Sequence, residues 1–158
     1  MNISDVLAPD AVIAALRVNG KKQLLQELAA RAAQLTGIPE RRIFESLNER
    51  ERLGSTGVGQ GIAIPHSRLA EMKGIVGVFA RLESPIDYDA VDKQPVDLVF
   101  MLLAPEGAGA DHLKALARVS RLLRNQQALE KLRVATKPEA IYAILTEPTV
   151  NGASSRAA

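Results

Sequence analysis

The chain has 158 residues, 47% of them hydrophobic, which suffices for one domain with its own core. Its 20 basic and 18 acidic residues nearly cancel, and only 3% are aromatic, so base stacking on single-stranded nucleic acid is not expected. The lack of cysteine excludes disulfides, thiol catalysis and cysteine-based zinc sites, and fits a reducing cytoplasm. Residues 1–5 have no basic start and no segment reaches the length of a membrane span, so neither a signal peptide nor membrane insertion is expected.

Apolar periodicity predicts the elements of the first half of the chain. They are a helical turn at Ser4 to Leu7, a strand at Val12 to Leu16, a helix at Lys21 to Leu35 ended by Gly37, and a second helix that starts near Pro39. The second helix should direct Ile43, Phe44 and Leu47 inward. Arg50 lies at i+7 from Ile43 and continues the same stripe, so its guanidinium needs an anionic or carbonyl partner.

The second half is predicted to contain two apolar strands followed by three helices. They cover Gly74 to Leu82, Val96 to Ala104, Asp111 to Arg124, Gln126 to Val134 and Glu139 to Leu145. Ser84 and Pro85 should end the first strand, and Thr136 to Glu139 has the pattern of a capping box. The helix at Asp111 to Arg124 is predicted to direct five residues inward: Leu113, Leu116, Ala117, Ser120 and Leu123. This alternation indicates one α/β domain, followed by a flexible tail at 147–158.

The segment Gly61-Ile62-Ala63-Ile64-Pro65-His66-Ser67 combines rigid apolar support with a reactive side chain. Pro65 has no N–H and a fixed φ, so strand pairing should stop there and His66 should emerge at its end. Histidine is a nucleophile and proton acceptor near neutral pH. The preceding segment, Leu53 to Gly61, contains four glycines and two hydroxyl residues but lacks the lysine of a P-loop. We predict a turn region with exposed N–H groups.

His112, the only other histidine, falls in the predicted first turn of a helix. The helix dipole there disfavours an imidazolium, and free N–H groups favour an anion, so we expect a neutral donor beside an anion site. A basic stretch follows this histidine. Its basic residues are Lys114, Arg118, Arg121, Arg124, Lys131, Arg133 and Lys137, against Asp111 and Glu130. They form either a solvated helix face or a docking surface for an acidic partner.

The run Asn48-Glu49-Arg50-Glu51-Arg52-Leu53-Gly54-Ser55-Thr56-Gly57, followed by Gly61-Ile62-Ala63-Ile64-Pro65-His66, resembles the fructose/mannitol-type enzyme IIA domains of the bacterial phosphotransferase system. The resemblance extends from Ile3 to Leu145 and includes Asp111-His112-Leu113. It implies a mixed β-sheet of about five strands flanked by α-helices on both faces, within a domain covering residues 1–146. Since no IIB or IIC part follows, the chain most resembles the nitrogen-related branch of the family.

The resemblance also implies a function. The family histidine that matches His66 accepts a phosphoryl group from a small HPr-like phosphocarrier protein, and Nε2 is the suggested atom. The positions that match Arg50 and His112 line the same site. Further expected phosphate-binding donors are Ser67, Ser55 and Thr56. The resemblance therefore implies a cytoplasmic phosphohistidine carrier rather than a turnover enzyme, and it implies no metal and no cofactor. Its expected partners are regulated proteins such as kinases or potassium transport systems. Binding to nucleic acid and insertion into a membrane are not expected.

Three alternatives remain open. A sugar-specific enzyme IIA, for fructose or mannitol, would pass the phosphate of His66 to a IIB domain. A hydrolase would use His66 with Ser67 or with the loop hydroxyls, although adjacent side chains on an extended backbone point to opposite faces. A structural or nucleic-acid module would use the basic helix around Arg118 and Arg121 and would show salt-dependent binding.

Overall fold

The computed structural model describes residues 1–147. Within these residues the strands are β1 (Val12–Leu16), β2 (Gly57–Gly59), β3 (Ile62–Ala63), β4 (His66–Leu69), β5 (Val76–Ile86) and β6 (Val96–Pro105). The α-helices are α1 (Lys21–Thr36), α2 (Glu40–Leu53), α3 (Gly109–Leu122), α4 (Gln126–Val134) and α5 (Pro138–Leu145), and 3₁₀ turns cover Ile3–Asp5 and Pro9–Ala11. Except for its first residue, the tail predicted at 147–158 lies outside the described residues.

The strands form one mixed sheet in the order β1-β5-β6-β3-β2, with β4 also paired to β6. β1 runs parallel to β5, β5 antiparallel to β6, β3 and β4 parallel to β6, and β2 antiparallel to β3. This confirms the predicted mixed α/β sheet, with six strands in the described chain instead of about five. The additional strands are short segments within the glycine-rich region and after Pro65.

The centre of the sheet is β6, the most apolar strand of the sequence. Every side chain from Leu98 to Ala104 is buried, so both faces of this strand are covered, as its continuous apolar run predicted. α1 packs on β5 and on α2, α2 packs against β4, α3 against β6, and α5 against β1. The helices thus bring the second half of α2 and the start of α3 to the region where β4 lies.

Pro65 divides a strand without ending its pairing, which corrects one expectation. β3 pairs with β6 at Leu98 and Val99, and β4 resumes on the same partner with His66 opposite Leu102. The carbonyl of Pro65 accepts a hydrogen bond of 3.0 Å from the N–H of Leu102, so the interruption costs only the donor that proline lacks. His66 therefore starts a paired strand and has rigid backbone on both sides.

Several other expectations require correction. β5 continues through Ser84 and Pro85 to Ile86, since its pairing with β6 is irregular between Arg81 and Ile86, where a proline is tolerated. The predicted capping box does not form: α5 has Lys137 at its N-cap and Pro138 at the favoured first helical position.

The buried face of α3 is shifted from the predicted one. Leu113 is 68% exposed, whereas His112, Ala115, Val119 and the following Leu123 are buried. Two stripes one residue apart on a helix differ by a rotation of about 100°, and apolar periodicity favoured the stripe with more leucines. The actual rotation places His112 inside the protein and leaves Leu113 outside.

Candidate functional site

A cleft of about 870 Å³ lies between α2, β4 and the start of α3. The α2 residues that line it are Ser46, Glu49, Arg50 and Leu53. The other lining residues are His66, Ser67 and Arg68 of β4, with Glu106, Gly109, His112, Leu113 and Leu116. The cleft thus brings together His66, His112, Arg50 and Ser67, which were all predicted as site residues from separate parts of the sequence.

The tautomer of His66 is fixed by its own backbone neighbourhood. Nδ1 of His66 lies 2.8 Å from the carbonyl oxygen of Ile64. A carbonyl only accepts hydrogen bonds, so Nδ1 carries the proton and donates it. The lone pair of the neutral ring is consequently on Nε2. Burial lowers the pKa of His66, with a smaller contribution from Arg50, and outweighs the opposing effects of Ile64 and Glu51. The ring is thus a neutral potential nucleophile at pH 7.

His112 is the most enclosed polar residue of the cleft, with 7% of its surface exposed. Its ring meets the ring of His66 edge to face. Among the described residues, no hydrogen-bond partner contacts its buried Nε2. Burial lowers the pKa of His112, and the positive charges of His66, when its ring is protonated, and of Arg68 lower it further. A buried donor or acceptor without a partner costs stability, so this nitrogen is suited to contact an anion bound beside His66.

Two arginines supply positive charge to the cleft. Arg50 is half-buried, and its Nη1 donates to the carbonyl of Gly54 at 2.9 Å, which satisfies the predicted need for a carbonyl partner. Arg68 was not predicted as a site residue. Side chains alternate along β4, so Arg68 lies on the same side of the strand as His66, which precedes it by two residues. This spacing of two residues was the signal in the sequence that could have identified Arg68. Both guanidiniums are suited to bind a phosphoryl group.

A pair of serines joins α2 to β4. The hydroxyls of Ser46 and Ser67 are hydrogen-bonded to each other. Two hydroxyls carry two protons and this bond uses one, so one proton of the pair is left to donate to another acceptor. Ser46 was not predicted as a site residue from the sequence, although it lies one helical turn before Arg50. Among the described residues the hydroxyl of Ser67 is bonded to Ser46 and His66 to the carbonyl of Ile64, so the arrangement gives no support to a His66–Ser67 hydrolase.

The structure does not bring Ser55 and Thr56 to the cleft. Ser55 accepts a hydrogen bond from the N–H of Gly57 at 3.1 Å, as in a turn. The hydroxyl of Thr56 is buried and bonded to Glu51 and to the hydroxyl of Tyr88. The predicted turn region also includes β2, and the N–H groups of Gly54, Thr56, Gly57 and Gln60 already donate to acceptors within the protein. These hydroxyls therefore serve the fold of the loop.

The rim of the cleft adds opposite charge and apolar surface. Glu49 and Glu106 line it together with the basic groups. Leu53 at the end of α2 and Leu113 in α3 both line the cleft and are 85% and 68% exposed. Large exposed apolar side chains beside a polar cleft are typical of a protein-docking surface.

Two further features of the described residues concern metal ions and membrane spans. Within residues 1–147, no group of three or more His, Cys, Asp or Glu side chains is arranged to hold a metal ion. In the same residues no helix has both the length and the apolar character required to cross a bilayer.

The fold is that of a known class of proteins. The chain belongs to the family of the phosphoenolpyruvate-dependent sugar phosphotransferase system, EIIA 2, whose model matches residues 5–147. The predicted resemblance is thereby confirmed.

Individual relatives include nitrogen regulatory proteins and a mannitol IIA. The chain is 59% identical over 153 residues to a nitrogen regulatory protein of Bradyrhizobium diazoefficiens, which covers 97% of this chain and 100% of that protein. The crystal structure of the nitrogen regulatory protein IIA-Ntr from Neisseria meningitidis superposes with a TM-score of 0.87 at 37% identity, covering 91% of this chain and 99% of that one. The Escherichia coli mannitol IIA, solved in complex with phosphorylated IIB, matches with a TM-score of 0.75, covering 90% of this chain and 100% of that one. Its 16% identity supports the common fold alone.

Proposed function

We propose that this protein is a phosphocarrier in which Nε2 of His66 accepts a phosphoryl group from a small HPr-like carrier protein. The observation that carries the proposal is the hydrogen bond from Nδ1 to the carbonyl of Ile64, 2.8 Å long. It leaves the lone pair on Nε2 of a ring that lines an open cleft. A neutral imidazole held in one orientation is what in-line attack on phosphorus requires.

In the proposed transfer, the Nε2 lone pair forms a bond to phosphorus while the N–P bond of the carrier breaks. The electron pair of the broken bond returns to the imidazole of the carrier. His66 keeps its Nδ1 proton throughout, because Ile64 continues to accept it, and the exchange between two imidazoles releases no net proton. Negative charge on the phosphoryl oxygens is stabilised by Arg50, Arg68 and an N–H of His112 at Nε2.

The serine pair supplies a further donor. If Ser46 donates to Ser67, the remaining hydroxyl proton of Ser67 is free to bond to a phosphoryl oxygen beside His66. This division of roles retains the predicted phosphate-binding function for Ser67 and adds Ser46 as the residue that orients it.

We assign the carrier a regulatory role in the cytoplasm, since relatives of high coverage are named nitrogen regulatory proteins. Phosphorylation adds negative charge at the cleft, so a partner that touches its rim would distinguish the two forms. The regulated partners proposed here are kinases or potassium transport systems. On this view the protein relays a signal and is not a turnover enzyme.

The alternative is a sugar-specific enzyme IIA that passes phosphate to a IIB domain for fructose or mannitol. It is supported by the family to which the chain belongs, which is described as part of a sugar phosphotransferase system. Incubation of the labelled phosphoprotein with candidate IIB partners and sugar distinguishes the two roles. Rapid transfer of the label to a sugar would contradict the regulatory role.

Mass spectrometry tests the acceptor itself. The protein is incubated with phosphoenolpyruvate, enzyme I and the carrier, and wild type is compared with His66→Ala. One acid-labile phosphoryl group is expected on wild type, and none on the variant. Arg50→Ala should be phosphorylated more slowly without loss of the modification, because the nucleophile remains. Acid-labile label on His66→Ala would reject His66 as the acceptor.

A further inference from the structure

Glu51 is a buried carboxylate that the proposed transfer does not use directly. It follows Arg50 on α2, yet it does not line the cleft and is only 8% exposed. Nζ of Lys21 lies 2.8 Å from Oε2, and the hydroxyl of Tyr88 donates to Oε1 at 2.9 Å. A buried carboxylate is tolerated when charge and donors compensate it, as they do here.

The remaining contacts of this carboxylate are to Thr56. The N–H of Thr56 donates to Oε2 of Glu51 at 3.3 Å, and its hydroxyl donates to Oε1. The carboxylate of Glu51, on α2, therefore binds both the backbone and the side chain of Thr56. Gly54, two residues before this contact, has a φ of +158°, and its carbonyl accepts a hydrogen bond from Arg50, so two neighbouring residues of α2 hold the loop.

Two further hydrogen bonds connect Thr56 to His66. The carbonyl of Thr56 accepts a 2.9 Å hydrogen bond from the N–H of Ile64. The carbonyl of the same Ile64 accepts the Nδ1 proton of His66 at 2.8 Å. Thr56 is thus one of the groups that hold Ile64, together with the pairing of β3 and β4 to β6, and Ile64 supplies the carbonyl that selects the tautomer of His66.

We propose that Glu51 is a positioning residue for phosphoryl acceptance, acting through Thr56 and Ile64 to keep the proton of His66 on Nδ1. The proposal rests on the proposed function of His66, but it makes a claim about the tautomer that is measurable without any carrier. Without the fixed carbonyl, the proton exchanges between the two ring nitrogens, and the fraction of molecules with a free Nε2 lone pair decreases.

A purely structural ion pair is the competing explanation of Glu51. Tyr88→Phe supplies the comparison, because it removes a hydroxyl that contacts the same carboxylate and the hydroxyl of Thr56, and it leaves both hydrogen bonds from Thr56 to Glu51 in place. If Glu51 serves stability alone, Glu51→Gln and Tyr88→Phe should both lower the free energy of unfolding and leave the histidine unchanged. If Glu51 positions the ring, the two variants should differ at His66.

The experiment measures the ¹⁵N chemical shifts of His66 in the full chain at pH 8, together with single-turnover phosphorylation by the carrier. Wild type and Tyr88→Phe should show the Nδ1–H tautomer. Glu51→Gln should show a mixture of tautomers and a maximal rate lower on the order of tenfold, with an unchanged concentration dependence on the carrier. Pure Nδ1–H tautomer in a folded Glu51→Gln protein would overturn the proposal.

A second variant covers the case in which Glu51→Gln fails to fold. Thr56→Val removes the side-chain link and leaves the pairing of Glu51 with Lys21 and Tyr88 intact, so its effect on His66 should have the same direction. Wild-type tautomer and rate in Thr56→Val would then count against the proposal. Absence of phosphorylation in wild type would reject the proposed function instead, since the shifts are measured without carrier.

Discussion

The imidazole rings of His66 and His112 lie with their centroids 5.7 Å apart and their planes at 69°. The edge of one ring therefore approaches the face of the other, and the unpartnered nitrogen of His112 is buried close to the proposed acceptor. In the proposed transfer the two histidines have different roles, His66 as the nucleophile and His112 as a donor to the transferred group. Substitution of either histidine should therefore affect phosphorylation differently.

Replacement of His112 should slow phosphorylation without abolishing it. His112→Ala removes a preorganised donor, for which a loss of roughly 100-fold in rate is expected. His112→Gln retains an N–H donor and should lose less. The measurement is the initial rate of label uptake from the phosphorylated carrier, with circular dichroism to verify the fold. A wild-type rate in His112→Ala would remove this residue from the site.

The exposed leucines at the rim should matter for carrier docking. Leu53→Ser and Leu113→Ser are each expected to raise the KM for the carrier about fivefold or more, with little change in kcat, because they remove apolar contact outside the chemistry. Val134→Ser is the control, as Val134 is also 77% exposed but does not line the cleft. An equal effect of all three changes would contradict a docking role for this rim.

The pH titration of the two histidines should reflect their burial. The pKa of each is below the ordinary value of 6.5, chiefly through loss of hydration, so both midpoints in an NMR titration should fall below pH 6.5. The charge of His66 contributes to the low pKa of His112, and His66→Gln should therefore raise the midpoint of His112. A midpoint for His66 above 6.5 in wild type would contradict this electrostatic picture.

The same titration has a consequence for stability. Below pH 6.5 the unfolded chain binds protons at these histidines more readily than the folded chain does. The free energy of unfolding should thus decrease as the pH falls from 6.5 through the lower folded-state pKa values. Urea unfolding at a series of pH values measures it, and His66→Gln with His112→Gln should reduce the slope in this range.

Gly61 should be intolerant of a side chain. It has a φ of +82°, and a Cβ there would lie 2.5 Å from Nη2 of Arg133 and 2.8 Å from Oδ1 of Asp97. Arg133 also donates to the carbonyl of Gln60 at 2.7 Å, so Gly61→Ala would strain the backbone and disturb an ion pair at once. The expected loss is about 2 kcal/mol or more in the free energy of unfolding.

Gly74→Ala is the control for Gly61→Ala. Gly74 has open space around its Cα and no positive φ, so its replacement should change stability by about 0.5 kcal/mol or less. Similar urea midpoints for the two variants would contradict the constraint assigned to Gly61.

The sequence by itself determined the alternation of helices and strands, the central position of β6 and the candidacy of His66, Arg50 and His112. These features depend on local periodicity, on turn residues and on motifs whose residues are near one another in the chain. The tertiary structure decided that β4 pairs beyond Pro65, that α3 is rotated to bury His112, and that Ser46 and Arg68 reach the cleft. It also assigned Thr56 to the support of the loop and revealed the burial of Glu51. A helix face, a strand partner and the burial of a charge depend on what packs against them, and residues distant in the sequence supply that packing.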